Sequence, residues 1–283
     1  MKPWAAPLLA ASLAACSPLR AFNAIVPHDS GAVAVERGAA YGVHPRQRVD
    51  LYRPRGWRPG QAALPIIVFI YGGSWQEGER QGYAFAARGL ADAGFVVAVP
   101  DYRLVPEVRF PAFLEDGAAA LRWVRANAAR LGGDPDRIVL IGHSAGAYNA
   151  AMLALDERWL GEDRAAIRGL VGIAGPYDFL PLDKQASIAA FGRERDLPRT
   201  QPVNFASAGD PPALLLHGAR DTTVYPRNSE QLAARLRTAG VAAQLKLYPR
   251  VGHVGILTAL ARPFRGRAPV LADAVAFARE VTR

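Results

Sequence analysis

Residues 136–148, Asp-Arg-Ile-Val-Leu-Ile-Gly-His-Ser-Ala-Gly-Ala-Tyr, hold the best-placed nucleophile of this chain. A serine hydroxyl does little at neutral pH unless a base takes its proton and the backbone presents its oxygen. Ser144 sits in Gly142-His143-Ser144-Ala145-Gly146, after the apolar, β-branched run Ile138–Ile141 and before helix formers from Ala147 to Leu155. Strand, tight Gly-x-Ser-x-Gly turn and helix would strain the serine backbone and lift its Oγ to a helix N-terminus. The glycines let strand and helix pass closely. At the helix N-terminus the Ala145 N–H is free to stabilise an oxyanion. The pentapeptide alone also fits an inert Gly-rich turn, so the partners decide.

A serine nucleophile needs a histidine base and an acid that holds the histidine in the right tautomer. The histidines are His28, His44, His143, His217 and His253. Only His253 lies in a loop after the last expected strand, in Tyr248-Pro249-Arg250-Val251-Gly252-His253-Val254-Gly255, where glycines let the chain fold back. The acid should follow the preceding strand end, and His217-Gly218-Ala219-Arg220-Asp221 supplies Asp221 there. Asp178 is the reserve. Asp101 and Asp116 read as loop and helix-start residues that hydrogen-bond backbone amides. Gly72-Gly73-Ser74, after an earlier strand, can bring a second donor close to a developing O⁻.

These groups need a scaffold with strand ends on one side. Strands are expected at Val33–Tyr41, Arg48–Tyr52, Pro65–Tyr71, Phe95–Val99, Ile138–Ile141, Gly169–Ala174, Ala213–His217 and Gln244–Tyr248. Helices are expected at Gly82–Ala93, Phe113–Leu131, after the Ser144 turn, at Ser229–Ala239 and at Ala268–Thr282. That alternation argues an α/β protein with a mostly parallel, doubly wound eight-stranded sheet. Residues 175–212, weakly periodic and rich in Pro, Gly and charge, are expected to form a small cap or lid. At 283 residues the chain suits one domain, and 51% hydrophobic with 21% charged residues describes a globular protein.

The net charge of +9 is almost wholly arginine, since lysine occurs only at 2, 184 and 246. The arginines are scattered singly, which argues against a nucleic-acid arm and for a solvated basic surface. Loose attraction to an anionic membrane face is the alternative. Met1-Lys2-Pro3 followed by twelve apolar or small residues, Trp4–Ala15, has the plan of a secretory signal too short to span a bilayer. Leu13-Ala14-Ala15-Cys16 resembles the lipobox of bacterial lipoproteins, and Cys16 is the only cysteine. The resemblance implies a signal peptide over 1–15 and a lipid on Cys16; a plain cleaved signal is the alternative. It also implies the bacterial envelope, with Ser17 favouring the outer membrane of a Gram-negative cell. Residues 16–31, with Pro18 and Pro27, read as a tether, and 32–283 as the folded domain.

Several blocks together resemble hormone-sensitive-lipase-like carboxylesterases of the α/β-hydrolase fold. Ile67–Tyr71 with Gly72-Gly73-Ser74-Trp75 is similar to their His-Gly-Gly-Gly-Trp segment, and Asp101-Tyr102-Arg103-Leu104 to their Asp-Tyr-Arg-Leu block. The resemblance covers roughly 35–283. It implies an esterase using Ser144, Asp221 and His253, with the amides of Gly72, Gly73 and Ala145 as oxyanion donors and no metal or organic cofactor. Tyr71 stands where the family usually has His, and Ser74 where a third Gly is usual, so Ser74 and Trp75 are expected to shape the pocket. Aromatic core packing is the rival role for Trp75. Arylformamidases and feruloyl or acetylxylan esterases share much of this frame. The expected substrate is therefore a small-acyl or aryl ester, with amide or carbohydrate-ester cleavage as alternatives. A silent envelope binding protein is the remaining reading, against which the complete triad argues.

Overall fold

Continuous apolar runs set the centre of the molecule. The computed structural model describes residues 18–283, so the signal segment, Cys16 and Ser17 lie outside the described residues. β3 (Leu64–Ile70) and β5 (Gly133–His143) are buried from Ile66 and Ile138 onward. Strands with no polar face must be covered on both sides, which parallel crossover helices accomplish. β1 (Ala32–Ala40), β2 (Arg48–Pro54), β4 (Val96–Pro100), β6 (Ile167–Ile173), β7 (Ala213–Gly218) and β8 (Ala243–Tyr248) complete one sheet in the order β1-β2-β4-β3-β5-β6-β7-β8. β2 is antiparallel to both β1 and β4, and all other pairings are parallel. This is the expected mostly parallel eight-stranded sheet.

The helices are α1 (Pro18–Ile25), α2 (Ala84–Asp92), α3 (Ala112–Leu131), α4 (Ala145–Leu155), the short α5 (Glu157–Leu160) and α6 (Gln185–Phe191), α7 (Arg227–Thr238), α8 (His253–Thr258) and α9 (Val270–Val281). α3 stops at Gly132, whose φ of 84° is the left-handed cap that the Gly132-Gly133 pair foretold. The expected helix from Gly82 begins instead as a 3-10 turn, Arg80–Tyr83, before α2. Asp101 explains that turn: its carboxylate accepts the Arg80 N–H at 2.7 Å and also the Arg80 guanidinium.

The expected tether departs most from the structure. Residues 18–25 form α1, and its neighbours are held to the body. The Phe22 ring meets Phe85 edge-on at 5.3 Å and stacks on Phe264 at 5.9 Å. Asn23 Oδ1 accepts the Phe85 N–H at 2.8 Å, and Asp29 pairs with the Arg265 guanidinium at 2.8 and 2.6 Å. The prolines suggested an extended segment. Leu19 and Phe22, three residues apart on one helical face, pack against the core and outweigh them.

Candidate active site

The Ser144 turn takes the strained form its sequence requires. Ser144 has φ 53° and ψ −123°, a conformation that costs a non-glycine residue roughly 1–3 kcal/mol. Its N–H donates to the Ile173 carbonyl at 2.9 Å, and its own carbonyl accepts from Ala147 and Tyr148 at 2.9 and 3.2 Å. Bonds on both sides of the peptide hold the strain in place. Gly146 is needed because a Cβ there would lie 2.1 Å from the Ile70 oxygen and 2.3 Å from that of Tyr71. The helix can pass β3 only without a side chain.

Three separate strand ends bring Ser144, Asp221 and His253 together. His253 Nε2 lies 2.9 Å from Ser144 Oγ, and His253 Nδ1 lies 2.7 Å from Asp221 Oδ2. The other carboxylate oxygen, Oδ1, accepts the N–H groups of Thr223 and Val224, each at 2.9 Å. Burial pushes the Asp221 carboxyl up. Hydrogen bonds from His217, His253 and the backbone outweigh that and hold it well below the usual carboxylate range. His253 is the first residue of α8, not a loop residue. The reserve acid Asp178 is elsewhere: its N–H donates to Asn228 Oδ1, and the acid on His253 is Asp221.

The remaining histidines separate by burial. His28 bonds to Asn23, and His44 pairs with Glu107 at 2.6 Å, both away from Ser144. His143 is buried with its ring 5.1 Å from that of His253. Burial, followed by the nearby His253, pushes His143 down to about 3, so it stays neutral at working pH. His217, read from sequence only as a strand-end histidine, is fully buried against Asp221.

The loop after β3 changes one expectation. The Gly72 N–H donates to the Tyr83 hydroxyl at 3.1 Å, so this amide is already occupied and is not a free oxyanion donor. The amides of Gly73 and Ser74 have no acceptor among the described residues. Ala145, first in α4, keeps the unpaired N–H of a helix start. Gly72 still has to be glycine, because a Cβ there would lie 2.9 Å from Ser144 Cβ. Gly73, Ser74 and Trp75 follow at φ 136°, 54° and 59°, a left-handed run that turns the loop sharply beside the serine. Tyr71, in the place of the usual histidine, donates its O–H to Asp101 at 2.9 Å and accepts from Arg46 at 2.9 Å. Asp101 and Asp116 do bind amides, of Arg80 and Arg103 respectively, each at 2.7 Å.

A cavity of about 410 Å³ opens on Ser144. One wall is Trp75 with Phe179, Leu180 and Pro181 of the 175–212 insertion; the other is Thr222–Tyr225, next to Asp221. Ser74 lines it as expected. Trp75 has both of the roles weighed for it. It borders the cavity, yet it is 4% exposed, donates its indole N–H to Asn149 at 3.1 Å, and meets the Phe191 ring edge-on at 4.9 Å. Among the described residues, no three His, Cys, Asp or Glu side chains are placed to hold a metal ion, and no helix is long and apolar enough to cross a membrane.

The BD-FAE family model matches residues 49–236, well over half of the chain, including the Ser144 turn and Asp221 in the loop after β7. The chain is 31% identical over 266 residues to the probable isoprenylcysteine alpha-carbonyl methylesterase ICMEL2 of Arabidopsis thaliana, covering 84% of this chain and 61% of that protein. It is 31% identical over 241 residues to the esterase LipC of Mycobacterium tuberculosis, covering 77% and 59%. It therefore spans about three fifths of the length of these curated relatives. Among solved structures, the carboxylesterase EstE1, cloned from a metagenomic library, superposes with a TM-score of 0.73 at 26% identity over 94% of each chain. With the family match running through the Ser144 turn and Asp221, and the fold shared with EstE1, this chain belongs to the BD-FAE family and has the α/β-hydrolase fold.

Proposed function

We propose that the protein is a serine esterase that cleaves small-acyl or aryl carboxylic esters through an acyl-enzyme. The observation that carries this reading is the unbroken chain Asp221–His253–Ser144, at 2.7 and 2.9 Å, with Ser144 lining an accessible cavity. His253 Nε2 takes the Ser144 proton as Oγ bonds to the ester carbonyl carbon. The C–O bond to the alcohol then breaks, and the alcohol leaves with that proton. Water, losing a proton to His253, adds to the acyl carbon and the acid departs, returning the proton to Ser144. Asp221 holds the imidazole and balances its positive charge. The free amides of Gly73, Ser74 and Ala145 supply the hydrogen bonds to the oxyanion. The esterase names of the relatives support the same reading, as does the apolar wall of Trp75, Phe179 and Leu180, which suits an acyl chain or aromatic ring.

The test is p-nitrophenyl ester hydrolysis across C2–C12 chains with protein starting at Ser17, beside Ser144→Ala. Turnover that peaks at short chains and drops at least ~10³-fold in the folded variant supports the mechanism. Equal turnover in a folded Ser144→Ala sinks it. No turnover of the p-nitrophenyl esters, with hydrolysis of an N-formyl arylamine or of an acetylated or feruloylated sugar, keeps Ser144 but replaces the substrate. Cys16 we take as the lipid anchor in the bacterial envelope, because the sole cysteine follows Leu13-Ala14-Ala15 at the end of the apolar run. Incorporation of labelled palmitate, abolished by Cys16→Ala, checks it.

A further inference from the structure

One buried group stands beside the acid and has no part in the scheme above. His217, near the end of β7, has no exposed surface. Its Nε2 lies 2.9 Å from the Val224 carbonyl oxygen and 3.3 Å from Asp221 Oδ2. Its Nδ1 lies 2.7 Å from Ser229 Oγ on α7. A carbonyl oxygen only accepts, so the Nε2 atom carries a proton. That N–H is directed to the Val224 carbonyl, and Asp221 Oδ2, the oxygen that His253 already uses, lies 3.3 Å from the same nitrogen. Ser229 then donates its hydroxyl proton to Nδ1, and the ring is fixed at both ends.

We propose that His217 is a positioning residue for the acid–base pair, sharing Asp221 Oδ2 with His253 and so setting how strongly Asp221 draws on the His253 proton. This rests on Ser144, Asp221 and His253 acting as the triad. The argument is one of division. Oδ1 is fully engaged by two backbone amides, so the charge available to His253 is that of Oδ2. The positive end of the His217 N–H dipole, with its nitrogen 3.3 Å from Oδ2, offsets part of that charge. The same N–H ties the carboxylate to Val224, so the acid loop cannot swing away while β7 stays put. Titratable neighbours do not offer a substitute. β5 contributes His143, kept neutral by burial; α8 contributes His253 itself; α7 contributes the neutral Ser229; Arg220 on the acid loop is exposed.

The experiment compares His217→Phe, which keeps a ring but no donor, with His217→Gln, whose amide can place an N–H near the Nε2 position. kcat/KM is followed from pH 4 to 9 with a short-chain p-nitrophenyl ester. In His217→Phe, Asp221 holds the His253 proton more tightly, so the acid limb moves up by about half a pH unit or more. His217→Gln returns the limb to its wild-type position. An even loss at every pH in both variants, with the limb unmoved, overturns the proposal and leaves His217 a packing residue. Should His217→Phe not fold, ¹⁵N spectra of the wild-type histidines decide. A proton on Nε2 of His217 from pH 5 to 9 is expected, and a proton on Nδ1 alone overturns the arrangement. A wild-type protein inert to every ester would sink the esterase reading, while the ¹⁵N spectra still decide the contact.

Discussion

The two walls that meet at Ser144 are built by different means. On the Asp221 side, the carboxylate is fixed by two amides and two imidazoles, and each partner is itself held. On the insertion side, Phe179 and α6 lie on an aromatic cluster in which Phe191 meets Trp75, Tyr148 and Phe113 at 4.9, 5.2 and 5.7 Å. Hydrogen-bonded walls fail when one donor is lost, because the remaining polar atoms are buried without partners. Apolar walls tolerate exchange if volume is kept. The chemistry is therefore fixed on one side and the substrate fit is adjustable on the other.

The sharpest way to break the polar side is through its backbone. Gly146→Ala should cost more than about 4 kcal/mol, because the new Cβ meets two carbonyl oxygens of β3 and its exit and no side chain can move aside. Denaturant unfolding measures it, and a cost below about 1 kcal/mol would show that the close approach is dispensable. On the apolar side, Phe191→Ala should cost about 3–5 kcal/mol by opening a cavity beneath the insertion. Turnover of the shortest ester by the folded fraction should fall less than about threefold, since no triad contact changes. A collapse of kcat on the smallest substrate would mean that the two walls are coupled.

A smaller effect sharpens the same contrast through pH. His143 is held at about 3 when folded and takes its ordinary 6.5 when unfolded. Between those values the unfolded chain binds the extra proton, so stability falls as pH drops. The loss from this group between pH 6 and 4.5 should be about 2 kcal/mol. Asp221 acts with the same sign in a lower window: its depressed carboxyl stabilises the fold above its unfolded value and gives that stability up only as pH falls below about 4. His143→Gln should therefore flatten unfolding free energy between pH 6 and 4.5 while leaving the steeper loss below pH 4. An unchanged slope would assign the acid sensitivity elsewhere.

The strands and the placing of Ser144, Asp221 and His253 were legible because short apolar runs, glycines and chain order each restrict the backbone locally. Two of the features that escaped, the engaged Gly72 amide and α1, depend on partners distant in sequence. Gly72 gives its amide to Tyr83, eleven residues on, through a 3-10 turn that exists because Asp101 holds Arg80. Nothing local to Gly72-Gly73 shows this. His253 opens a helix because Ile256 N–H reaches the Gly252 carbonyl, whereas the glycines around it read as loop. α1 was hidden by Pro18 and the nearby Pro27, since its stability comes from Phe85 and Phe264, distant in sequence.

If Cys16 carries the proposed lipid, the clamped α1 changes the reach of the enzyme. A free tether over residues 16–31 would let the body roam about 20 Å from its lipid, by the span of a flexible chain of that length. With Pro18 already helical, a lipid on Cys16 leaves Ser17 as the only residue between it and α1. Such a molecule would be moored at the quay, turning little, and would sample esters delivered along the bilayer surface more readily than those free in the surrounding fluid.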